Sequence, residues 1–281
     1  MTAVWRAADI PDLSGRTAVV TGTSSGLGAV IAAELARHGA HVIHGVRDLA
    51  SAPAGADARR LDLADLDVVA GFAASVDGFD VLVNNAGVMW TPLRRTRQGF
   101  EWQFGVNHLG HFALTALLWP RRRPGARVVT MSSILHRTGR LDLADPNWLS
   151  RRYSPEAAYA QSKYANVTFA VELHRRGGAS LAAHPGYART RLQTSGPTGV
   201  RAAVGAVLNP VFGQPAGMGA LPALFAATSP DAVPGSFVGP SFLEVWGGPV
   251  VVAPARGVGS PELGERLWAV SEELTGVPFA V

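Results

Sequence analysis

The chain contains no cysteine, which excludes disulfides, thiolate metal sites and cysteine nucleophiles. It is almost without lysine. Of 25 Lys and Arg residues, 24 are arginine, and Lys163 stands alone. Charged residues make up only 16% of the 281 positions, against 47% apolar ones. That balance suits a soluble domain with a large buried core. No apolar run reaches the ~18 residues that span a bilayer. The stretch Met1 to Ser14 carries Asp9, Pro11 and Asp12 and lacks the apolar centre of a signal peptide, so a cytosolic protein is expected. No repeat of about 20–50 residues is present. The eight histidines show no ligand spacing with carboxylates, so no metal is expected, and His108 and His111 are read as packed or partly exposed helix residues. The net charge of +4 is arginine spread along the chain. Its clusters, Arg94-Arg95, Arg121-Arg122-Arg123 and Arg175-Arg176, lie beside Pro or Gly or at expected helix ends, without interleaved aromatics, which argues against nucleic acid. Abundant Ala, Gly, Val and Arg with scarce Lys points to a GC-rich bacterial genome.

The single lysine follows a tyrosine by four residues, in Tyr159-Ala160-Gln161-Ser162-Lys163. On a helix, i and i+4 share a face. An ammonium there favours the phenolate and is expected to lower its pKa from about 10. A guanidinium is wider and planar and does not substitute cleanly.

Upstream, Arg16 to Gly22 reads as a buried strand, followed by the turn Thr21-Gly22-Thr23-Ser24-Ser25-Gly26-Leu27-Gly28 and a helix from Ala29 to His38. A glycine-rich turn between strand and helix lets a pyrophosphate reach backbone N–H groups at the helix's positive end. Further strands are expected at 41–46, 59–63, 79–83, 126–131, 180–184 and 236–238. Helices are expected at 65–76, 99–119, 155–176, 218–228 and 261–274, with 187–217 a substrate loop and 244–258 a surface crossing. Alternating strands and helices predict an α/β fold, one doubly wound, Rossmann-type parallel sheet with helices on both faces. A single domain is expected over 1–281, with the binding and catalytic core at 15–190 and helices and a sheet edge at 218–281. Gly22, Arg47, Asp62, Asn84, Ser133 and Pro185-Gly186 all fall at carboxyl ends of strands, where such sheets bind ligands.

Together TGTSSGLG at 21–28, NNAG at 84–87, Asn107, Ser133, the Tyr159/Lys163 pair and PGxxxT at 185–190 resemble the short-chain dehydrogenase/reductase family in order and spacing. The resemblance spans nearly the whole chain. VNHLGHFALT at 106–115, SSILHRTG at 132–139, the insert at 145–166, HPGYART at 184–190 and the segments 219–230 and 267–276 resemble its retinol-dehydrogenase-like branch. It implies a tetrad of Asn107, Ser133, Tyr159 and Lys163. Tyr159 is the general acid in reduction and the base in oxidation. Lys163 lowers its pKa and bonds the nicotinamide ribose, Ser133 donates to the substrate oxygen, and Asn107 holds a water. Ser133 lies further ahead of Tyr159 than in compact members, which the insert from Ile134 to Ala158 explains. Ser133 is preferred over Ser132 by its place after the strand. Tyr153 and Tyr164 do not share the Lys163 helix face.

For a dinucleotide the same resemblance implies Gly22, Ser24, Ser25, Gly26, Leu27 and Gly28 at the pyrophosphate and adenosine. Asp62 and Leu63 flank the adenine, Asn84, Ala86 and Gly87 the ribose, and Thr190 meets the carboxamide, with Pro185 and Gly186 nearby. Arg47 at the second strand's end suits a 2′-phosphate, favouring NADP(H). Asp48 beside it leaves NAD(H) open. Met89, Trp90, Ile134, His136, the insert with Trp148 and Tyr153, and the 187–217 loop are expected to form the wall for an apolar small-molecule substrate; Trp148 is equally a core anchor. The expected reaction interconverts a carbonyl and an alcohol. Reduction of an activated C=C bond and a silent dinucleotide sensor are the alternatives. Relatives pair through helices near 99–119 and 155–176, so a homodimer or homotetramer is implied.

Overall fold

The computed structural model describes residues 5–187 and 214–281. Thr190 and most of the expected 187–217 loop lie outside the described residues. Strands β1 (Thr17–Thr21), β2 (His41–Val46), β3 (Asp57–Arg60), β4 (Phe79–Asn84), β5 (Arg122–Met131), β6 (Ala179–Ala183), β7 (Phe237–Phe242) and β8 (Trp246–Val252) form one sheet in the order β3-β2-β1-β4-β5-β6-β7-β8. Every neighbouring pair is parallel except β7 with β8. The chain reverses its direction of winding between β1 and β4, and in open sheets that switch point opens a crevice for ligands.

Side chains along a strand alternate between faces. Ala18 and Val20 of β1 and Val81 and Val83 of β4 pack in one apolar layer with Ile31 and Leu35 of α1 (Gly26–Arg37). Val19 and Leu82 pack in the opposite layer with Val69 and Phe72 of α2 (Leu66–Ser75). Both faces are covered, which is why the strands read as continuous apolar runs. A single long helix follows, made of α3 (Trp102–Phe104), a π-helical turn (Gly105–Leu109) and α4 (Gly110–Leu118). Beside it runs α5 (Pro155–Arg175), begun by Pro155 and by Ser154, whose hydroxyl accepts from Ala157 N–H.

Helix α6 (Ala216–Thr228) joins the first layer, and α7 (Pro261–Thr275) ends at Gly276 in the left-handed region. Trp268 of α7 and Phe279 beyond it pack on Phe112 of α4 and Phe169 of α5, with ring centroids 5.4–6.5 Å apart. In this chain those aromatics therefore cover part of the helix pair that the resemblance marks for subunit contact.

Two expectations change. The segment 244–258, read as a surface crossing, contains β8, an antiparallel edge strand closed onto β7 from Phe242↔Trp246 to Phe237↔Val252. Its glycines and prolines hid it, and an edge tolerates them because one side of the strand needs no partner. The third strand, Asp57–Arg60, starts and ends earlier than the expected 59–63, so Leu61 and Leu63 lie past its end, buried in the core. Among the described residues, no helix is long and apolar enough to cross a membrane.

Candidate active site

A cavity of about 500 Å³ opens at the carboxyl ends of β1, β2 and β4. Its floor is the glycine-rich turn, with Gly22, Ser24, Ser25, Gly26, Leu27 and Gly28 all lining it. Backbone geometry demands glycine at several points. Gly22 and Gly26 have φ of +73° and +61°, where a side chain is strained. A Cβ on Gly28 would lie 2.3 Å from the Gly22 carbonyl oxygen and 2.4 Å from Asn85 Nδ2. Ser25 precedes α1 without its side chain capping the helix, so the first-turn N–H groups face the cavity's end of the turn unclaimed by that side chain.

The walls come from the neighbouring strands. Arg47 follows β2, Asp62 and Leu63 follow β3, and Asn85, Ala86 and Gly87 follow β4. The long helix adds Trp102 and Val106. The turn and the segment after β4 are sewn together by Thr21, whose hydroxyl accepts from the N–H groups of Asn85 and Ala86, each at 2.9 Å. Asn84, expected at the ribose, is turned away. Its side chain is buried and donates to Thr115 Oγ1 at 3.0 Å, so its neighbour Asn85 lines the cavity instead. Pro185 and Gly186 lie outside the lining too.

Behind Gly87 sit Asn107 and Lys163 of the expected tetrad. A Cβ on Gly87 would be 3.1 Å from Asn107 Oδ1 and 3.5 Å from Lys163 Nζ, so cavity and tetrad meet there. The Asn107 side chain accepts from Val88 N–H at 2.8 Å, and donates to Val88 O and to Ser162 Oγ, each at 2.9 Å. Both its N–H groups are thus committed, and one lone pair on Oδ1 remains for a water. Lys163 Nζ is buried 5.8 Å from the Tyr159 ring centroid and donates to Met131 O at 3.1 Å. The Ser133 side chain lies near enough to the Tyr159 phenol to favour its ionised form. Ser132 instead donates to Lys163 O at 2.8 Å, inside the fold.

The expected lowering of the tyrosine pKa is not what this arrangement produces. Burial pushes Tyr159 up to about 12, only partly opposed by the Ser133 side chain. Burial likewise brings Lys163 down to about 8. Both shifts follow from removing a charge-bearing group from water, and at this separation the ammonium does not reverse the cost. Tyr159 is therefore held protonated.

Other expected wall residues have structural duties. His136 is buried, donating from Nδ1 to Ser133 O at 2.7 Å and accepting at Nε2 from Ala255 N–H at 2.9 Å. Trp148 is a core anchor of the insert, packed edge-on against Tyr153 with Arg151 above its ring. Tyr153 donates to the buried Glu101 carboxylate at 3.0 Å, and burial with that negative charge raises its pKa. Tyr164 donates to Arg256 O at 3.0 Å, away from Lys163. Met89 does line the cavity.

The comparisons with known proteins agree with this geometry. A family model described as short chain dehydrogenase matches residues 16–144. Human retinol dehydrogenase 13 is 38% identical over 292 aligned positions, covering 94% of this chain and 86% of its own. The chain is a short-chain dehydrogenase/reductase. It belongs to the retinol-dehydrogenase-like branch and is an NAD(P)-dependent dehydrogenase acting on CH–OH and C=O groups. An uncharacterized protein from Mycobacterium paratuberculosis has a crystal structure superposing with a TM-score of 0.85, at 46% identity, over 99% of this chain and 100% of that one. A short chain dehydrogenase from Burkholderia cenocepacia, solved in complex with NADP, superposes with a TM-score of 0.62 at 25% identity, over 80% of this chain and 96% of that one.

The residues present fit the dinucleotide this dehydrogenase requires. The turn offers backbone N–H groups at a helix start, and its glycines leave the space that a Cβ would fill. Gly28→Ala in this dehydrogenase is expected to weaken NADPH binding by about tenfold or more, roughly 1.4 kcal/mol, since the new methyl must displace Asn85 or the Gly22 carbonyl. Fluorescence titration of NADPH checks it.

Proposed function

We propose that the enzyme uses NADP(H) to interconvert a carbonyl and an alcohol on an apolar small molecule, with Tyr159 as the general acid/base. The observation that carries this reading is the buried Tyr159–Lys163 pair, with half-buried Ser133 beside the phenol and Lys163 Nζ directly behind Gly87 at the cavity's inner edge. When bound, the nicotinamide supplies or takes up the hydride. In reduction Tyr159 passes its proton to the carbonyl oxygen, while the Ser133 hydroxyl donates to that oxygen. Lys163 then stabilises the phenolate left behind. Two of its three N–H groups remain after the Met131 bond, enough to hold a ribose as well. In oxidation the buried phenol must first lose its proton, and a positive charge beside it, such as that of an oxidised nicotinamide, favours the loss.

The preference for NADP(H) is supported by Arg47. It lines the cavity at the end of β2, is exposed, and forms no ion pair among the described residues. Asp48, the rival ribose reader, has one carboxylate oxygen engaged: Oδ1 accepts from Ala50 N–H at 3.0 Å and caps a short turn. A free guanidinium beside a carboxylate partly engaged in its own turn favours a 2′-phosphate over a bare 2′-hydroxyl. Arg47→Ala is expected to weaken NADPH about tenfold or more, near 1.4 kcal/mol, and to leave NADH unchanged. Parallel titrations of both cofactors decide it, and a variant that binds NADPH as the parent does refutes the assignment.

An apolar substrate is supported by Val88, Met89, Trp102 and Val106 in the cavity wall and by the names of the relatives, retinol dehydrogenase among them. A screen of apolar aldehydes and ketones with NADPH tests it.

A further inference from the structure

One buried histidine is unused by the proposed reaction and joins its two halves. His111 lies on α4, one turn beyond Asn107, and is 1% exposed. Its Nδ1 is 3.0 Å from the main-chain carbonyl oxygen of Asn107, and its Nε2 is 2.9 Å from Thr21 Oγ1. Burial, with the nearby charge of Lys163 adding to it, lowers its pKa to about 4 despite the Asn107 bond. Near neutral pH the ring therefore carries one proton, and chemistry dictates where it sits. A carbonyl oxygen can only accept, so the proton is on Nδ1. Nε2 must then accept the hydroxyl proton of Thr21. The other contact open to that proton, Val83 O, is longer at 3.4 Å.

The direction of each hydrogen bond is thereby fixed. Asn85 and Ala86 N–H donate to Thr21, Thr21 donates to His111, and His111 donates to the Asn107 carbonyl. At one end is the cavity wall beside Gly87. At the other is the residue that pins Val88 and, through Ser162, the helix carrying Tyr159 and Lys163. Ser162 in turn donates to Tyr159 O at 2.7 Å. A second rung runs parallel, from Asn84 Nδ2 to Thr115 Oγ1 and on to His111 O. The helix takes its π-helical turn at residues 105–109, where Asn107 sits.

We propose that His111 is a positioning residue: by bridging Thr21 and the Asn107 carbonyl it holds the cofactor cradle and the Tyr159/Lys163 helix in one register. This rests on the reading of Asn107, Tyr159 and Lys163 as the catalytic group. His111 is absent from the cavity lining and acts through its two partners.

The test combines a spectroscopic readout with binding and turnover. Long-range ¹H–¹⁵N correlation on the cofactor-free protein should show His111 as the Nδ1–H tautomer at pH 7, with no titration near 6.5. The ε tautomer, or an ordinary titration, overturns the bridge. His111→Phe should weaken NADPH about fivefold or more and lower kcat with NADPH and decanal about tenfold, with KM within about threefold. His111→Asn, whose amide reaches only the Nδ1 position, and His111→Gln, whose amide reaches only the Nε2 position, should each fall short of the parent by about threefold or more in both readings, since neither spans both partners. If His111→Phe fails to fold, the Asn and Gln variants decide. Parental binding and turnover in either amide variant, or in a folded His111→Phe protein, overturn the proposal. Neither tautomer nor NADPH affinity depends on turnover. A Tyr159→Phe protein that kept its activity would thus refute the catalytic assignment while leaving the His111 bridge to be judged by those two readings.

Discussion

Tyr159→Phe is expected to bind NADPH as the parent does and to lose turnover by about 10²–10⁴-fold, the span that a positioned general acid contributes. The two effects separate because the phenol lies behind the cavity and is absent from its lining. The ring's packing survives the change, and only the hydroxyl that meets Ser133 is removed. Phenylalanine leaves no acid in its place. Tyr153 and Tyr164 give their hydroxyl protons to Glu101 and to Arg256 O, and neither lies beside Lys163. Stopped-flow or steady-state assay of an apolar aldehyde, alongside a cofactor titration, measures both quantities. Equal turnover in the variant would sink the mechanism.

Lys163→Met is expected to cost activity and add stability. With no charge to stabilise the forming phenolate, reduction should slow by about 10²-fold or more. In the parent, kcat/KM for reduction should fall above about pH 8 as Lys163 loses its proton, and the variant should lack that step. The stability effect has the opposite sign. Lys163 is ionised in the unfolded chain below about 10.5 and, once buried, only below about 8. The native state is therefore penalised most below pH 8, by on the order of 3 kcal/mol, and the penalty vanishes above 10.5. Met131 O keeps its bond from Asn166 Nδ2 at 2.9 Å, so removing the amine orphans no acceptor. Thermal melts should show the variant more stable than the parent at pH 7, with the gap closing as pH rises through 8 toward 10.5. A variant less stable at pH 7 would show that the ammonium is better accommodated than its burial suggests. A buried charge kept at such a cost is the pattern of a functional site.

Much of this was legible along the chain because it depends on local spacing. Strict helical periodicity places Tyr159 and Lys163 on one face regardless of what surrounds them. A strand, glycine-rich turn and helix in succession dictate an anion-binding end. Continuous apolar strands alternating with helices dictate a covered parallel sheet. What stayed hidden depends on partners remote in sequence. Nothing around His111 distinguishes it from a packed core histidine; Thr21, ninety positions away, does. Asn84 and Asn85 are adjacent and alike, and the helix carrying Thr115 claims the first and leaves the second to the cavity. Ser132 and Ser133 are divided the same way, by which of them the end of β5 points at Tyr159. His136 offers a ring that could face substrate, yet the segment after β8 and the Ser133 carbonyl take both its nitrogens.

The sequence by itself determined the family, the layered sheet and the tyrosine–lysine pair, since motif order, periodicity and i,i+4 spacing are properties of the chain alone. Tertiary structure alone decided the direction of the Tyr159 shift, the partner of each serine and asparagine, and the histidine between the two halves of the site. Desolvation and long-range hydrogen bonds exist only once distant segments have closed around a side chain and taken its water away.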